Sequence, residues 1–331
     1  MATIVTVTLN PAIDRVLEVR NFVPGKVYKG KLKAFRAAGK GVNISSVLAS
    51  VGRPSVALGF VGQHEQSFFR SSLHPALVDC RLAAVPGVTR HHTTIIDPRK
   101  GTETHLREEG FKVNDALVRE LKRSIGAVLR GGDFCIFSGS LPPGMTVRQF
   151  QDLVRHCTQV GAHVAVDAEG DALQGMLSLR LDFITPNVQE LSALDKGSIR
   201  TVAHLVERAR ALCGRRLKAV LVSWGDRGAY LVSPGDVWHA AVKVPEEKVA
   251  STVGCGDALL AGFVAGLTDG RSVPDSLRLD VACAAADAIT YAAGDVAPEA
   301  VNRLESKAVV EQLDEASFSA KTPARSRKKK G

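Results

Sequence analysis

Phe134-Cys-Ile-Phe-Ser138 and His163-Val-Ala-Val-Asp167 are short apolar runs, and the amphipathic stretch Arg148–Gln159 lies between them. Strand, helix and strand in that order make a βαβ unit. Short strands that are apolar throughout belong to a parallel sheet covered on both faces. The rhythm extends in both directions. Ile4–Leu9 and Ser55–Val61 read as earlier strands, Phe183–Pro186 and Ala219–Ser223 as later ones, and Val202–Cys213 as another amphipathic helix. The pattern predicts an α/β fold with a mostly parallel sheet.

Two regions break the rhythm. Within residues 14–36, Arg15–Val19 and Val27–Lys33 read as short polar strands. Residues 90–107 read as a hairpin that turns at Asp97-Pro98-Arg99-Lys100-Gly101. Neither region is apolar enough for a buried layer. Together they predict a small separate sheet with one face available to cover a ligand, the alternative being an ordinary edge hairpin.

The bulk composition suits a globular protein: of 331 residues, 45% are hydrophobic and 23% charged. Aromatics are only 5%, so Ala, Val, Leu and Ile must build the core. The net charge of +9 is concentrated at the end, where Lys321–Gly331 holds six cations and no anion. Elsewhere 37 basic side chains face 34 acidic ones, so the folded part is nearly balanced. The tail, residues 318–331, reads as a solvated, disordered end, and no nucleic-acid partner is expected. Residues 1–317 are expected to form a single domain. The six cysteines show no CxxC spacing, which predicts reduced thiols and a cytoplasmic protein. The first residues lack the pattern of a secretion signal, and no uncharged apolar run reaches the roughly 18 residues of a membrane span.

Five segments carry chemistry. In Ser251-Thr252-Val253-Gly254-Cys255-Gly256-Asp257 a small-residue turn leads into an apolar helix. Gly254, Cys255 and Gly256 can present backbone N–H groups, and the helix N-terminus favours an anion. Asp257 is either a plain N-cap or a general base, and a carboxylate at an anion-binding turn makes sense if it takes a proton from an attacking hydroxyl. A second glycine-rich turn, Ala38-Gly39-Lys40-Gly41-Val42-Asn43, also opens a helix but lacks Walker A spacing. Ser138–Gly144 and Thr185-Pro186-Asn187-Val188-Gln189-Glu190 follow buried strands, at the edge where α/β sheets bind ligands. Asn187 and Glu190 could form a capping box or hold a hydrated Mg²⁺. Ser223–Ala229 reads as a hairpin turn or as a loop beside a nucleotide. His91, His92 and His105 lack metal-ligand spacing.

Taken together and in their order along the chain, the segments resemble the ribokinase-like (PfkB-type) carbohydrate kinases, nearest the branch of 1-phosphofructokinases and tagatose-6-phosphate kinases. The opening Thr8–Asp14, Gly39–Asn43, Ser138–Gly144 and Thr252–Phe263 carry the likeness, which runs from about residue 3 to about residue 315. It implies a doubly wound α/β core flanked by helices, with a small β-sheet lid at about 14–36 and 88–110 that often pairs into a homodimer. It implies ATP and Mg²⁺. Asp257 would be the base, and Gly254, Cys255 and Gly256 the anion hole. Asp14, Gly39, Lys40, Asn43 and Ser138 would line the sugar site, with Arg90 on the substrate's phosphate. Asn187 and Glu190 would organise Mg²⁺, through water, and phosphate. Ser223, Gly225, Gly228 and Thr252 would border ATP.

The lid departs from the family pattern. His92 and Thr94 stand where an Asn and a Lys are typical, Arg107-Glu108 replaces an Asn-Glu pair, and Ala38-Gly39 replaces paired glycines. Thr185 stands where a Lys often precedes Pro-Asn. Arg107 is expected to take over as a phosphate clamp, with His92 beside it. The leading expectation is a phosphosugar kinase. The alternatives are a kinase of an unphosphorylated sugar or nucleoside, and a non-catalytic sugar-phosphate sensor on the same scaffold.

Overall fold

The computed structural model describes residues 2–194, 197–315 and 318. The basic tail from Lys321 lies outside them. The strands are β1 (Ile4–Thr8), β2 (Ala12–Glu18), β3 (Lys31–Ala38), β4 (Ser55–Gly62), β5 (Val78–Val85), β6 (Arg90–Asp97) and β7 (Thr102–Arg107). They continue as β8 (Phe134–Ser138), β9 (His163–Asp167), β10 (Leu181–Ile184), β11 (Leu217–Ser223), β12 (Ala229–Val232), β13 (Val237–Ala241) and β14 (Val309–Gln312). The helices are α1 (Lys40–Ser50), α2 (Gln66–Ser72), α3 (Asp115–Val128), α4 (Val147–Val160) and α5 (Gly170–Met176). After them come α6 (Val188–Leu194), α7 (Val202–Leu212), α8 (Cys255–Thr268), α9 (Val273–Ala288) and α10 (Pro298–Glu305).

One sheet has the order β14-β13-β12-β11-β10-β9-β8-β1-β4-β5. It is parallel from β11 to β5 and antiparallel beyond β11. Alternate residues of each central strand serve opposite faces. Val5, Cys135, Phe137, Val164 and Val166 pack towards α3–α7, and Ile4, Ile136 and Ala165 towards α1, α8 and α9. Burial on both faces is why these strands read as unbroken apolar runs.

The chain runs outward from β1 through β4 to β5, then returns and runs the other way through β8, β9, β10 and β11. The direction reverses between β1 and β8, and the crevice past the carboxyl ends there is where such sheets bind ligands.

The second sheet has the order β3-β2-β6-β7. β2 and β3 interrupt the β1-to-α1 connection, and β6 and β7 the β5-to-α3 connection. The expected hairpin turn forms: Asp97 Oδ1 and Oδ2 accept N–H groups from Asn21, Phe22 and Arg99. Most expected bounds shift by one or two residues, Arg15–Val19 becomes Ala12–Glu18, and two further shifts are instructive. The expected Val27–Lys33 strand begins only at Lys31 and continues to Ala38, and Leu181–Ile184 replaces Phe183–Pro186. Pro186 has no N–H for a ladder, so β10 ends before it.

Asp280 on α9 is an anomaly of the core. It is 0% exposed, and neither carboxyl oxygen has a hydrogen-bond partner among the described residues. Burial lifts its carboxyl well above the usual range. The folded chain therefore keeps a proton that the unfolded chain releases, so its contribution weakens as pH rises above the unfolded value of about 3.9. Asp280→Ala is expected to raise Tm, with a gain that grows from about pH 4 to about pH 8. Thermal melts across that range check it, and a gain independent of pH would contradict it.

Candidate active site

Two helix N-termini meet in the crevice. α1 starts at Lys40 against the end of β1, and glycine is needed there. A Cβ on Gly41 would lie 2.4 Å from Thr8 Oγ1, and one on Gly39 2.9 Å from Pro11 Cα. α8 starts at Cys255 after Gly254, whose φ of 95° suits glycine alone. No side chain caps α8, and Ala258 N–H is the first to bond back, to Gly254 O. The amides of Cys255, Gly256 and Asp257 have no carbonyl partner within the helix.

Asp257 lies in the first turn of α8, 5% exposed. Asn43 Nδ2, from α1, donates to its Oδ2 at 2.8 Å. Burial raises the Asp257 carboxyl well above the usual range, with Asp167 and Asp287 adding to the rise while Lys40 and Asn43 oppose it. Lys40 Nζ donates to Asp167 Oδ1 at 3.1 Å, and Ser138 Oγ donates to Asp167 Oδ2 at 2.8 Å. Burial alone would push the Lys40 ammonium down, but Asp167, Asp257 and Glu190 together hold it above its ordinary value. The crevice thus holds a fixed cation, a sequestered carboxyl and the N-terminal amides of α8.

Asp14 and Arg36 are register partners in the lid, as are Asp14 and His92, and His92 and Arg107. These four side chains share one face of the small sheet. Asp14 Oδ1 and His92 Nδ1 are 3.5 Å apart. Arg90 is part-buried, and its Nη2 donates to Asn10 O at 2.8 Å and Ser140 Oγ at 3.2 Å, which ties the lid to the core. Burial, then the neighbouring charge of Arg107, lowers the Arg90 guanidinium. Two arginines converging in this way favour an anion between them.

Asn187 and Glu190 form the capping box: Glu190 N–H donates to Asn187 Oδ1 and Asn187 N–H to Glu190 Oε2, each at 2.9 Å. Glu190 Oε1 has no hydrogen bond among the described residues, so the carboxyl can still reach a metal-bound water. Ser223 bridges to Asn187 at the neighbouring strand end. Gly228 has a structural role besides any ligand, because a Cβ there would lie 2.1 Å from Ala240 O. Gly225 opens the short turn after β11, and Thr252 is exposed. The three lid histidines do not converge. His91 faces Glu108, His92 faces Asp14 and His105 faces Glu103.

Sequence reasoning missed Asp167, which joins Lys40 to Ser138. Its signal was available, as a carboxylate closing a buried strand at the ligand edge. Asp287 was also missed, because it sits in the last turn of α9, far from residue 254 in sequence, and only packing brings it to the turn.

An open parallel sheet with a ligand crevice at its switch point, an uncapped helix terminus and a buried carboxyl beside it define an α/β phosphotransferase. The chain belongs to the pfkB family of carbohydrate kinases, whose family model matches residues 3–300. It is 34% identical over 281 residues to the 1-phosphofructokinase of Rhodobacter capsulatus, covering 84% of this chain and 88% of that one. The crystal structure of a phosphofructokinase from Staphylococcus aureus, named there as putative, superposes with a TM-score of 0.79 at 28% identity, covering 94% and 99% of the two chains. Phosphofructokinase-2 from Escherichia coli shares the fold, with a TM-score of 0.85 at 23% identity over 92% and 99% of the chains. Among the described residues no helix is long and apolar enough to cross a membrane.

Proposed function

We propose that the protein transfers the γ-phosphoryl group of ATP to a hydroxyl of a phosphosugar of the fructose 1-phosphate or tagatose 6-phosphate type, in the cytoplasm. The observation that carries this is Asp257, buried at an uncapped helix terminus and held by Asn43. Asp257 takes the proton of the attacking hydroxyl, and the Gly254–Gly256 amides stabilise charge on the moving group. Lys40, fixed by Asp167, sets a cation beside it. Asp14 and Ser138 orient the sugar, while Arg90, His92 and Arg107 gather around its phosphate. Thr252, Ser223, Gly225 and Gly228 border the nucleotide.

Glu190 and Asn187 would hold Mg²⁺ through its waters, since this cation keeps several and takes few protein ligands. When bound it neutralises phosphate charge. On the opposite lid face Leu32, Phe35 and Leu106 are more than half exposed, which supports a homodimer formed through the lid. Tetramers occur in the fold, as in the inhibited form of phosphofructokinase-2 from Escherichia coli.

The test is ADP release with Mg-ATP and fructose 1-phosphate, tagatose 6-phosphate, fructose 6-phosphate, fructose or ribose. Turnover confined to a phosphosugar is expected. Turnover only on a free sugar would refute the phosphate site, and ATP binding without any turnover would favour a sensor. Arg107→Ala is expected to raise KM for the phosphosugar by roughly tenfold or more, the loss of a charge-assisted contact, with KM for ATP little changed. An unchanged sugar KM would remove Arg107 from the site.

A further inference from the structure

A second carboxyl lies under the same turn. Asp287 on α9 is 1% exposed, and its Oδ1 accepts the Gly294 N–H at 2.6 Å. Its Oδ2 is buried with no hydrogen-bond partner among the described residues. That oxygen faces the back of Gly254, where an added Cβ would lie 2.8 Å from it. An anionic Asp287 would oppose a phosphoryl group arriving on the other side of one glycine, where little solvent screens it. The neutral acid would not, and its O–H is also a donor.

We propose that Asp287 is a positioning residue for the phosphoryl group: its protonated form supports the Gly254 turn, its ionised form opposes the incoming charge, and phosphate binding draws a proton onto it. This rests on the reading of Gly254–Gly256 as the anion hole.

The charged neighbourhood agrees. Cys255 and Asp257 face Asp287 from α8, Cys283 from its own helix and Asp295 from the following loop. The cation near it, Arg36 of β3, also pairs with Asp295 at 3.7 Å. Burial raises the Asp287 carboxyl to about 7; Asp295 adds to the rise, while Gly294 N–H and Arg36 oppose it. The competent, protonated form is therefore present below that value and lost as pH rises through it. Bound phosphate moves the value higher still.

The experiment compares kcat/KM for Mg-ATP against pH in the wild type and Asp287→Asn. The wild type is expected to show an acid limb from Asp257 and an alkaline limb from Asp287. In Asp287→Asn the alkaline limb should vanish, so the ratio of variant to wild type grows about tenfold per pH unit above it. The acid limb should stay in place, because Asp287 is already neutral in the pH range of that limb. A purely structural role would lower the whole profile without reshaping it, and a persistent alkaline limb overturns the proposal.

Calorimetry on the wild type gives a second test that needs no variant. A non-hydrolysable ATP analogue with Mg²⁺, titrated at about pH 8 in buffers of different ionisation heat, should bind with uptake of nearly one proton. Binding without uptake overturns the role of Asp287 and leaves the anion hole standing. No binding at all, or normal turnover by Gly256→Ala, overturns the anion hole and this proposal with it.

Discussion

Asp257→Asn is expected to keep the fold and lower kcat by roughly 10²-fold or more, the scale of lost general-base catalysis. The amide can still accept from Asn43 Nδ2 through its oxygen, so the contact between α1 and α8 survives. Stability should move the opposite way from activity. The Asp257 carboxyl is lifted by burial, so the folded chain holds its proton more tightly than the unfolded chain does. Its contribution to stability then falls as pH rises above the unfolded carboxylate range, and the variant lacks that loss. At about pH 8 the variant should melt higher than the wild type while turning over far more slowly. Wild-type kcat should drop as pH falls through the raised value, because a base must be ionised to act. Stopped kinetics and thermal melts on the same preparation check both signs, and near-normal turnover removes Asp257 as the base.

The glycines of the turn give the second large effect, and they separate structure from ligand. A Cβ on Gly254 would lie 2.4 Å from the Ala293 side chain, and its φ is already unfavourable for any other residue. Gly254→Ala should cost about 1–3 kcal/mol of stability. It should also lower kcat by about 10²–10³-fold, as the amides leave their positions. Gly256 is different, because a Cβ there meets nothing within 4 Å. Gly256→Ala should leave stability unchanged or raise it by up to about 1 kcal/mol, as expected inside a helix. Its activity should still fall by roughly 10²-fold, because the methyl group occupies the space a phosphate must approach. An active Gly256→Ala enzyme would mean that no phosphate passes over this turn.

The core was legible because its strands are buried on both faces. Phe134–Ser138 and His163–Asp167 have the bounds that their apolar runs suggest. The lid was harder to place. Val27-Tyr28-Lys29-Gly30 has the residues of a strand, but Val27 is fully exposed and the pairing with β2 begins only at Lys31. Side-chain pattern cannot fix such a start where neither face is firmly buried. At the site, glycines and the helix start marked Gly254–Asp257, since local backbone needs leave a local trace. The bonds from Asn43 to Asp257 and from Lys40 to Asp167 join residues more than 100 positions apart, and no local pattern encodes them. Arg90 shows the same limit. Its charge was legible, but not its bonds to Asn10 and Ser140.

The small sheet enters the chain as two separate insertions, each between a core strand and the helix that follows it. Asp14, His92 and Arg107 belong to those insertions, whereas Asp257, Asn43, Lys40 and Asp167 belong to the core. If the small sheet grips the acceptor as proposed, selection or laboratory evolution would rewrite the acceptor preference by exchanging two cassettes while the donor chemistry stays fixed. A chimera carrying a relative's segments at about 14–36 and 88–110 would keep its own nucleotide affinity and adopt the relative's choice of sugar.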